Sequence, residues 1–167
     1  MEEKTNTEEE INDIVRKIFA KLQANNLTIS TAESCTGGNI AHRITLISGA
    51  SEFFKASVVS YCNEMKEKIL HVDKTILDTY GAVSEPTAKQ MAEDVLCLTQ
   101  TDWAISTTGL AGPLSDGSGT EVGTVFIGIA SKGKETIVRK YCIKTEREDF
   151  INRVSKEALS LLLSSLE

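Results

Sequence analysis

Apolar residues recur at helical spacing near both ends of the chain. Ile11, Ile14, Val15, Ile18 and Leu22 predict an amphipathic helix over residues 8–24, ended by Asn25-Asn26. Phe150, Val154, Ala158, Leu161 and Leu162 predict another that runs to about Leu166. Thr7 with Glu10, and Thr145 with Glu148, have capping-box spacing at the two starts, and residues 1–6 read as a frayed acidic tail. A third stripe, Ala88, Met91, Ala92, Val95 and Leu98, follows Ser84 and Pro86, a start signal for a helix.

Between these stretches the pattern changes to short runs rich in Val, Ile, Ser and Thr. Strands are expected at residues 27–31, 56–62, 103–107, 122–130 and 135–143, the last two forming a hairpin around Gly133. Ile40, Ile44 and Ile47 predict a helix closed by Ser48-Gly49. Asn63 opens a short helix through Leu70, and Asp73 opens one that Gly81 stops. Four glycines, a proline and Asp116 make residues 109–119 a loop. Strands interleaved with helices imply an α/β domain whose sheet is covered on both faces and ends in an antiparallel hairpin. Residues 1–167 read as one domain, without repeat or linker.

Charge narrows the function. The chain carries 24 acidic and 18 basic residues, a formal net charge of -6. General nucleic-acid binding needs basic surface to neutralise phosphates, so no nucleic-acid partner is expected. A small anion bound by a local cation cluster remains compatible with that balance. No apolar stretch is long enough to span a bilayer, and the acidic start is unlike a signal peptide, so the expectation is a soluble cytoplasmic protein with no membrane partner. Cys35, Cys62, Cys97 and Cys142 form no CxxC pair, and His42 and His71 complete no zinc pattern, so no metal and no cofactor are expected. Cys62, Cys97 and Cys142 sit in apolar segments and read as small buried fillers. His42 and His71 fall in helical segments and read as structural or surface residues.

Three polar stretches follow predicted strands. The first, residues 31–38 (TAESCTGG), leads from strand to helix, where free backbone N–H groups can hold an anion or a developing oxyanion. Ser34, Cys35 and Thr36 offer three nucleophiles there, Gly37 and Gly38 allow close approach, and Glu33 can orient the loop. The plainer reading is a strand-to-helix turn with hydroxyl caps. The second stretch, residues 60–66, places Lys66 in a predicted first turn, where the helix dipole disfavours its charge and would make it a base, with Tyr61 relaying the proton or holding the amine. The plainer reading is a solvated lysine and a packing tyrosine. The third, residues 106–113 (STTGLAGP), adds exposed amides and hydroxyls, including Thr108 and Gly109. Arg147 and Arg153, near the start of the last helix, are candidates for a phosphate partner or for solvated surface.

Taken together, TAESCTGG (31–38), residues 60–66, GAVSEP (81–86), TGLAGP (108–113), VGTVFIGIA (122–130) and Thr145-Glu146-Arg147 resemble the CinA C-terminal-domain family, over nearly the whole chain from about Leu27. The resemblance implies a three-layer α/β/α sandwich with a mixed sheet. It also implies a stand-alone nicotinamide-nucleotide amidase that hydrolyses nicotinamide mononucleotide to nicotinic acid mononucleotide and ammonia, in pyridine-nucleotide recycling. Ser34 would be the nucleophile, with Lys66 and Tyr61 assisting. The 35–38 turn (Cys35, Thr36, Gly37, Gly38), Thr108, Gly109 and Arg147 would bind the nucleotide, and a homo-oligomer is expected. The sequence departs from the family at Leu114-Ser115-Asp116-Gly117, at Glu121, at Thr145-Glu146 and at Ile151, all on the nucleotide side. The alternatives are a nucleotide-binding or regulatory relative with little turnover, and a DNA-handling protein, which the acidic charge disfavours.

Overall fold

The computed structural model describes the backbone of residues 2–167 and the side chains of residues 8–167. In chain order the elements are α1 (Glu2–Ala24), β1 (Ile29–Glu33), α2 (Asn39–Thr45), a 3-10 turn (Ala50–Glu52), β2 (Phe54–Val59), α3 (Asn63–Lys68), α4 (Lys74–Tyr80), α5 (Glu85–Thr99), β3 (Trp103–Gly109), β4 (Thr124–Ser131), β5 (Ile137–Cys142) and α6 (Arg147–Ser165). The sheet order is β2-β1-β3-β4-β5. β2, β1 and β3 run parallel, while β4 and β5 are antiparallel neighbours, so the sheet is mixed. Helices cover both faces, as the three-layer reading expects.

The two faces pack differently. On one, α1, α2 and α6 bring Ile11, Val15, Ile18, Leu22, Ile40, Ile44, Phe150 and Val154 against Ile29, Ile105, Val125, Ile127 and Ile129. On the other, α5 lies on small residues, and Met91, Ala92 and Val95 meet Ala32, Ala104 and Ala130. Gly128 shows how close α5 comes: a Cβ there would sit 2.5 Å from Ser106 Oγ and 2.8 Å from the Ala88 carbonyl oxygen. Among the described residues no helix is long and apolar enough to cross a membrane.

Several boundaries differ from the sequence reading. β1 continues to Glu33, so its last residue abuts Ser34, and β3 continues through Thr108 and Gly109 into what the glycine count made a loop. Gly109 is needed inside that strand, because a Cβ would meet Thr124 O and Val125 at 2.8 Å. β2 lies earlier, at Phe54–Val59, which leaves Ser60, Tyr61 and Cys62 beyond its end. α1 begins at Glu2, so the backbone of residues 2–6 is helical rather than a frayed tail and Thr7 lies within the helix rather than at its cap, while the side chains of residues 1–7 lie outside the described ones. At α6, Thr145 does not cap: Glu146 holds the cap position without a side-chain bond, and the Thr145 hydroxyl donates to Asp149 instead (2.6 Å). Asp73 and Ser84 do cap α4 and α5 through the amides of Thr75 and Thr87, and Gly81 closes α4 with φ 81°. Leu98 is half exposed rather than part of the buried stripe of α5. The cysteine expectation is inverted: Cys62, Cys97 and Cys142 are exposed, and Cys35 is buried. His71 stands between α3 and α4 with φ 62°, outside any helix.

Filling the α5 contact tests this packing. Gly128→Ala is expected to destabilise the fold by about 1–3 kcal/mol, since helix and sheet must separate to admit a methyl group. A denaturant-unfolding midpoint equal to that of the parent would refute the close approach.

Candidate active site

Parallel strands end together, so the carboxyl ends of β2, β1 and β3 place the three polar stretches at one edge of the sheet. The Ser34 amide donates to Thr107 O (3.0 Å), and the Ser60 amide donates to Glu33 O (2.9 Å), which locks the three segments side by side. Strand alternation then divides them. Glu33 faces the α2 side, and Ser34 faces the α3 side, where Lys66 lies.

Lys66 is only 1% exposed. Its Nζ donates to Ser34 Oγ (3.0 Å) and to the Ser60 carbonyl (2.8 Å). Burial disfavours the ammonium form and lowers the pKa below the ordinary lysine value of 10.5. The cause differs from the one the sequence suggested. Lys66 is the fourth residue of α3, past its first helical positions, and desolvation rather than the helix dipole shifts its proton. Ser34 is itself 8% exposed, so the serine–lysine pair is nearly dry. The Ser60 hydroxyl beside it is buried without a hydrogen-bond partner.

Cys35 is no rival nucleophile. Burial pushes its thiol up to about 12, against smaller opposing effects of Thr107 and Lys66, so it stays protonated at neutral pH. Thr36 is also engaged, since its hydroxyl bonds Glu33 Oε2 (2.7 Å) and Thr107 Oγ1 (2.8 Å). Within the turn, the Gly37 amide donates to Ser34 O (3.1 Å) and the Gly38 amide to Glu33 Oε2 (3.0 Å). Among the described residues the amides of Cys35 and Thr36 donate to no other residue, so of the turn's backbone N–H groups these two are left to face an anion, the Cys35 amide lying beside its own thiol.

The remaining candidates divide. Tyr61 is 58% exposed, and its hydroxyl accepts from Arg147 Nη2, not from Lys66 or Ser34. Arg147 also donates through Nη1 to Gly112 O (2.9 Å), so it straps the start of α6 across the second and third stretches. The Thr108 hydroxyl is buried and donates to Ala82 O (2.6 Å), supporting the loop ahead of α5. Gly109 is a packing glycine. Arg153 pairs with Asp149 and lines a groove of about 630 Å³ together with Arg43, Lys144 and Glu157; none of Ser34, Tyr61, Lys66 and Arg147 lines it. The most connected residue of the site was the least specified by sequence. Glu33 is 0% exposed and accepts from three amides of the 38–41 segment, and only its place before Ser34 pointed to it.

Residues 11–166 match the CinA C-terminal domain. A CinA-like protein of Endomicrobium trichonymphae is 46% identical over 156 residues, covering 93% of this chain and 36% of that protein. The chain spans little more than a third of the length of the curated relatives it matches. Among solved structures, the competence or damage-inducible protein of Enterobacter asburiae superposes with a TM-score of 0.91 at 30% identity, covering 94% of this chain and 98% of that one. A competence-damaged protein superfamily member of Escherichia coli gives 0.88 at 31% identity, covering 92% and 88%.

Two outcomes follow from this geometry. Lys66→Met removes a buried amine whose charged form is disfavoured by burial, so near neutral pH the variant is expected to be at least as stable as the parent. Because the folded pKa of Lys66 lies below 10.5, the unfolded chain holds more protons between the two values, and the parent gains stability as pH rises through that window. The variant lacks that rise, and urea midpoints in neutral and alkaline buffer check it; parallel curves would show an unperturbed lysine. Separately, iodoacetamide on the folded protein is expected to modify Cys62, Cys97 and Cys142 and to spare Cys35 until the chain is denatured, as read by peptide mass spectrometry.

Proposed function

The chain belongs to the CinA C-terminal domain family, and we propose that this member is an amidohydrolase which cleaves the carboxamide of nicotinamide mononucleotide with Ser34 as nucleophile. The observation that carries the reading is the buried Lys66 amine on Ser34 Oγ at 3.0 Å, a base and nucleophile in mutual reach and shielded from water. A lysine held for structure alone would not need to end on a serine hydroxyl at the carboxyl end of a strand.

In the proposed reaction neutral Lys66 takes the Ser34 proton as Oγ bonds to the amide carbon. Charge gathers on the carbonyl oxygen, where the Cys35 and Thr36 amides, which donate to no other residue among those described, stabilise it. The tetrahedral intermediate collapses, the C–N bond breaks, and the proton on Lys66 passes to the leaving nitrogen as ammonia departs. Water then adds to the acyl ester, Lys66 takes its proton, and the carboxylate product leaves with Ser34 restored. Lysine thus acts first as base and then as acid, which a lowered pKa favours near neutral pH.

Nucleotide recognition falls to Arg147. Its bonds to Gly112 and Tyr61 hold the guanidinium between the second and third polar stretches, and its remaining N–H groups are of the kind that pair with phosphate. Tyr61 then orients Arg147 rather than relaying a proton.

Ammonia release from nicotinamide mononucleotide is the test. The parent is expected to release it, and Ser34→Ala to lose at least about a thousandfold in rate, as removal of a catalytic nucleophile does in serine hydrolases. Nucleotide binding by a folded parent without ammonia release would replace this reading by that of a binding protein.

A further inference from the structure

The Ser34 turn resembles a phosphate-binding loop in sequence, with two glycines leading from a strand into a helix. The structure fills that place from within. Gly37 (φ 60°) and Gly38 (φ 96°) are both left-handed, and they turn the backbone so that the start of α2 points back at the end of β1. The Glu33 carboxylate occupies the space. Oε2 accepts from the amides of Gly38 (3.0 Å) and Ile40 (3.1 Å) and from the Thr36 hydroxyl (2.7 Å). Oε1 accepts from the Ala41 amide (2.9 Å), with the hydroxyls of Thr31 (3.3 Å) and Ser57 (3.5 Å) beside it. The three amides and the Thr36 hydroxyl are donors, and the single Thr31 proton is shared with Ser57 Oγ (2.7 Å), so the arrangement suits an acceptor-only carboxylate.

We infer that Glu33 is a positioning residue for the oxyanion site, an inference that rests on the amidohydrolase reading above. By holding the amides of Gly38, Ile40 and Ala41, its carboxylate excludes a substrate phosphate from the α2 terminus. It also fixes the turn so that the amides left for an oxyanion, those of Cys35 and Thr36, are the two that follow the nucleophile. Thr36 carries the constraint across the sheet, since its hydroxyl joins Glu33 to Thr107 and the Thr107 carbonyl holds the Ser34 amide. Glu33 touches no substrate and moves no proton. It sets where the oxyanion donors point before substrate arrives, and such preorganisation is the form of electrostatic catalysis that costs no rearrangement during the reaction.

Glutamine is the informative replacement, because it keeps the shape but turns an NH2 group toward donors. The readout is phosphonylation by a small alkyl fluorophosphonate, in which Ser34 Oγ bonds to phosphorus, fluoride leaves and Lys66 takes the proton. Loss of folded protein lowers the endpoint of labelling, whereas misplaced oxyanion donors lower its rate constant at full endpoint. Glu33→Gln is expected to reach about one label per chain with a rate constant at least about tenfold lower, and its kcat for the amide substrate should fall with KM little changed. Thr36→Val, which removes one donor to the carboxylate and leaves the backbone amides in place, should show a smaller loss of the same kind and decides the matter if Glu33→Gln does not fold. Parental rate constants in the folded variants would overturn the positioning role and leave the nucleophile standing. A parent that neither labels at Ser34 nor releases ammonia would overturn the amidohydrolase reading, and this inference with it.

Discussion

A carboxylate sealed from water at the end of β1 is the constraint around which this site is built. An ionised group in a protein interior is tolerated only when donors replace its hydration shell, and Glu33 finds them in three backbone amides and neighbouring hydroxyls. The need runs both ways. The first amides of a helix have no partners within it, and α2 is only seven residues long, too short to be stable on its own. Strand end and helix start each complete what the other lacks. The left-handed pair Gly37-Gly38 is the backbone cost of bringing them together.

One residue further on, the alternation of a strand sends the chain to the opposite face, where the same logic yields reactivity instead of rest. Lys66 is as dry as Glu33 but far less well supplied: a carbonyl and a serine hydroxyl receive it, and no carboxylate is recorded against it. A cation in that position is relieved by losing its proton. The last residue of β1 and the residue that follows it are thus tied to two buried ionisable groups that are supplied differently. Glu33 is surrounded by donors, while burial disfavours the ammonium form of Lys66, which suits the base role proposed for it.

How much of this the sequence reveals depends on the range over which each feature is decided. The layered α/β architecture follows from periodicity, because each helix must bury its own stripe, and the caps at Asp73 and Ser84 follow from residues a few places apart. Strand ends were less legible. Gly109 resembles a loop residue until Thr124 and Val125 are seen pressed against it, and Tyr61 and Cys62 resemble strand residues although pairing stops at Val59. Cys62, Cys97 and Cys142 sit in apolar segments yet are exposed, because local hydrophobicity does not say which side of an element meets the core. The family motifs marked Ser34, Tyr61 and Lys66, yet no spacing could reveal that Lys66 reaches Ser34 while Tyr61 turns to Arg147. Those partners are fixed by which strand ends lie side by side.

The departures from the family pattern acquire physical meaning in the same way. Leu114-Ser115-Asp116-Gly117 lies in an exposed loop whose hydrogen bonds are local, such as the Ser118 amide and hydroxyl on Asp116. It is joined to the site through Gly112, where the backbone carbonyl takes a bond from Arg147. A backbone acceptor is indifferent to the side chains that follow it, so the loop can change in sequence while Arg147 keeps its hold. The Ser34–Lys66 pair and the Glu33 cradle lie within the sheet edge, where a single altered side chain would leave a buried charge or amide unmatched. The departures from the family pattern noted at residues 114–117 thus fall where the structure makes change cheap, on an exposed loop, and away from the buried Ser34–Lys66 pair where the bond-breaking chemistry is proposed.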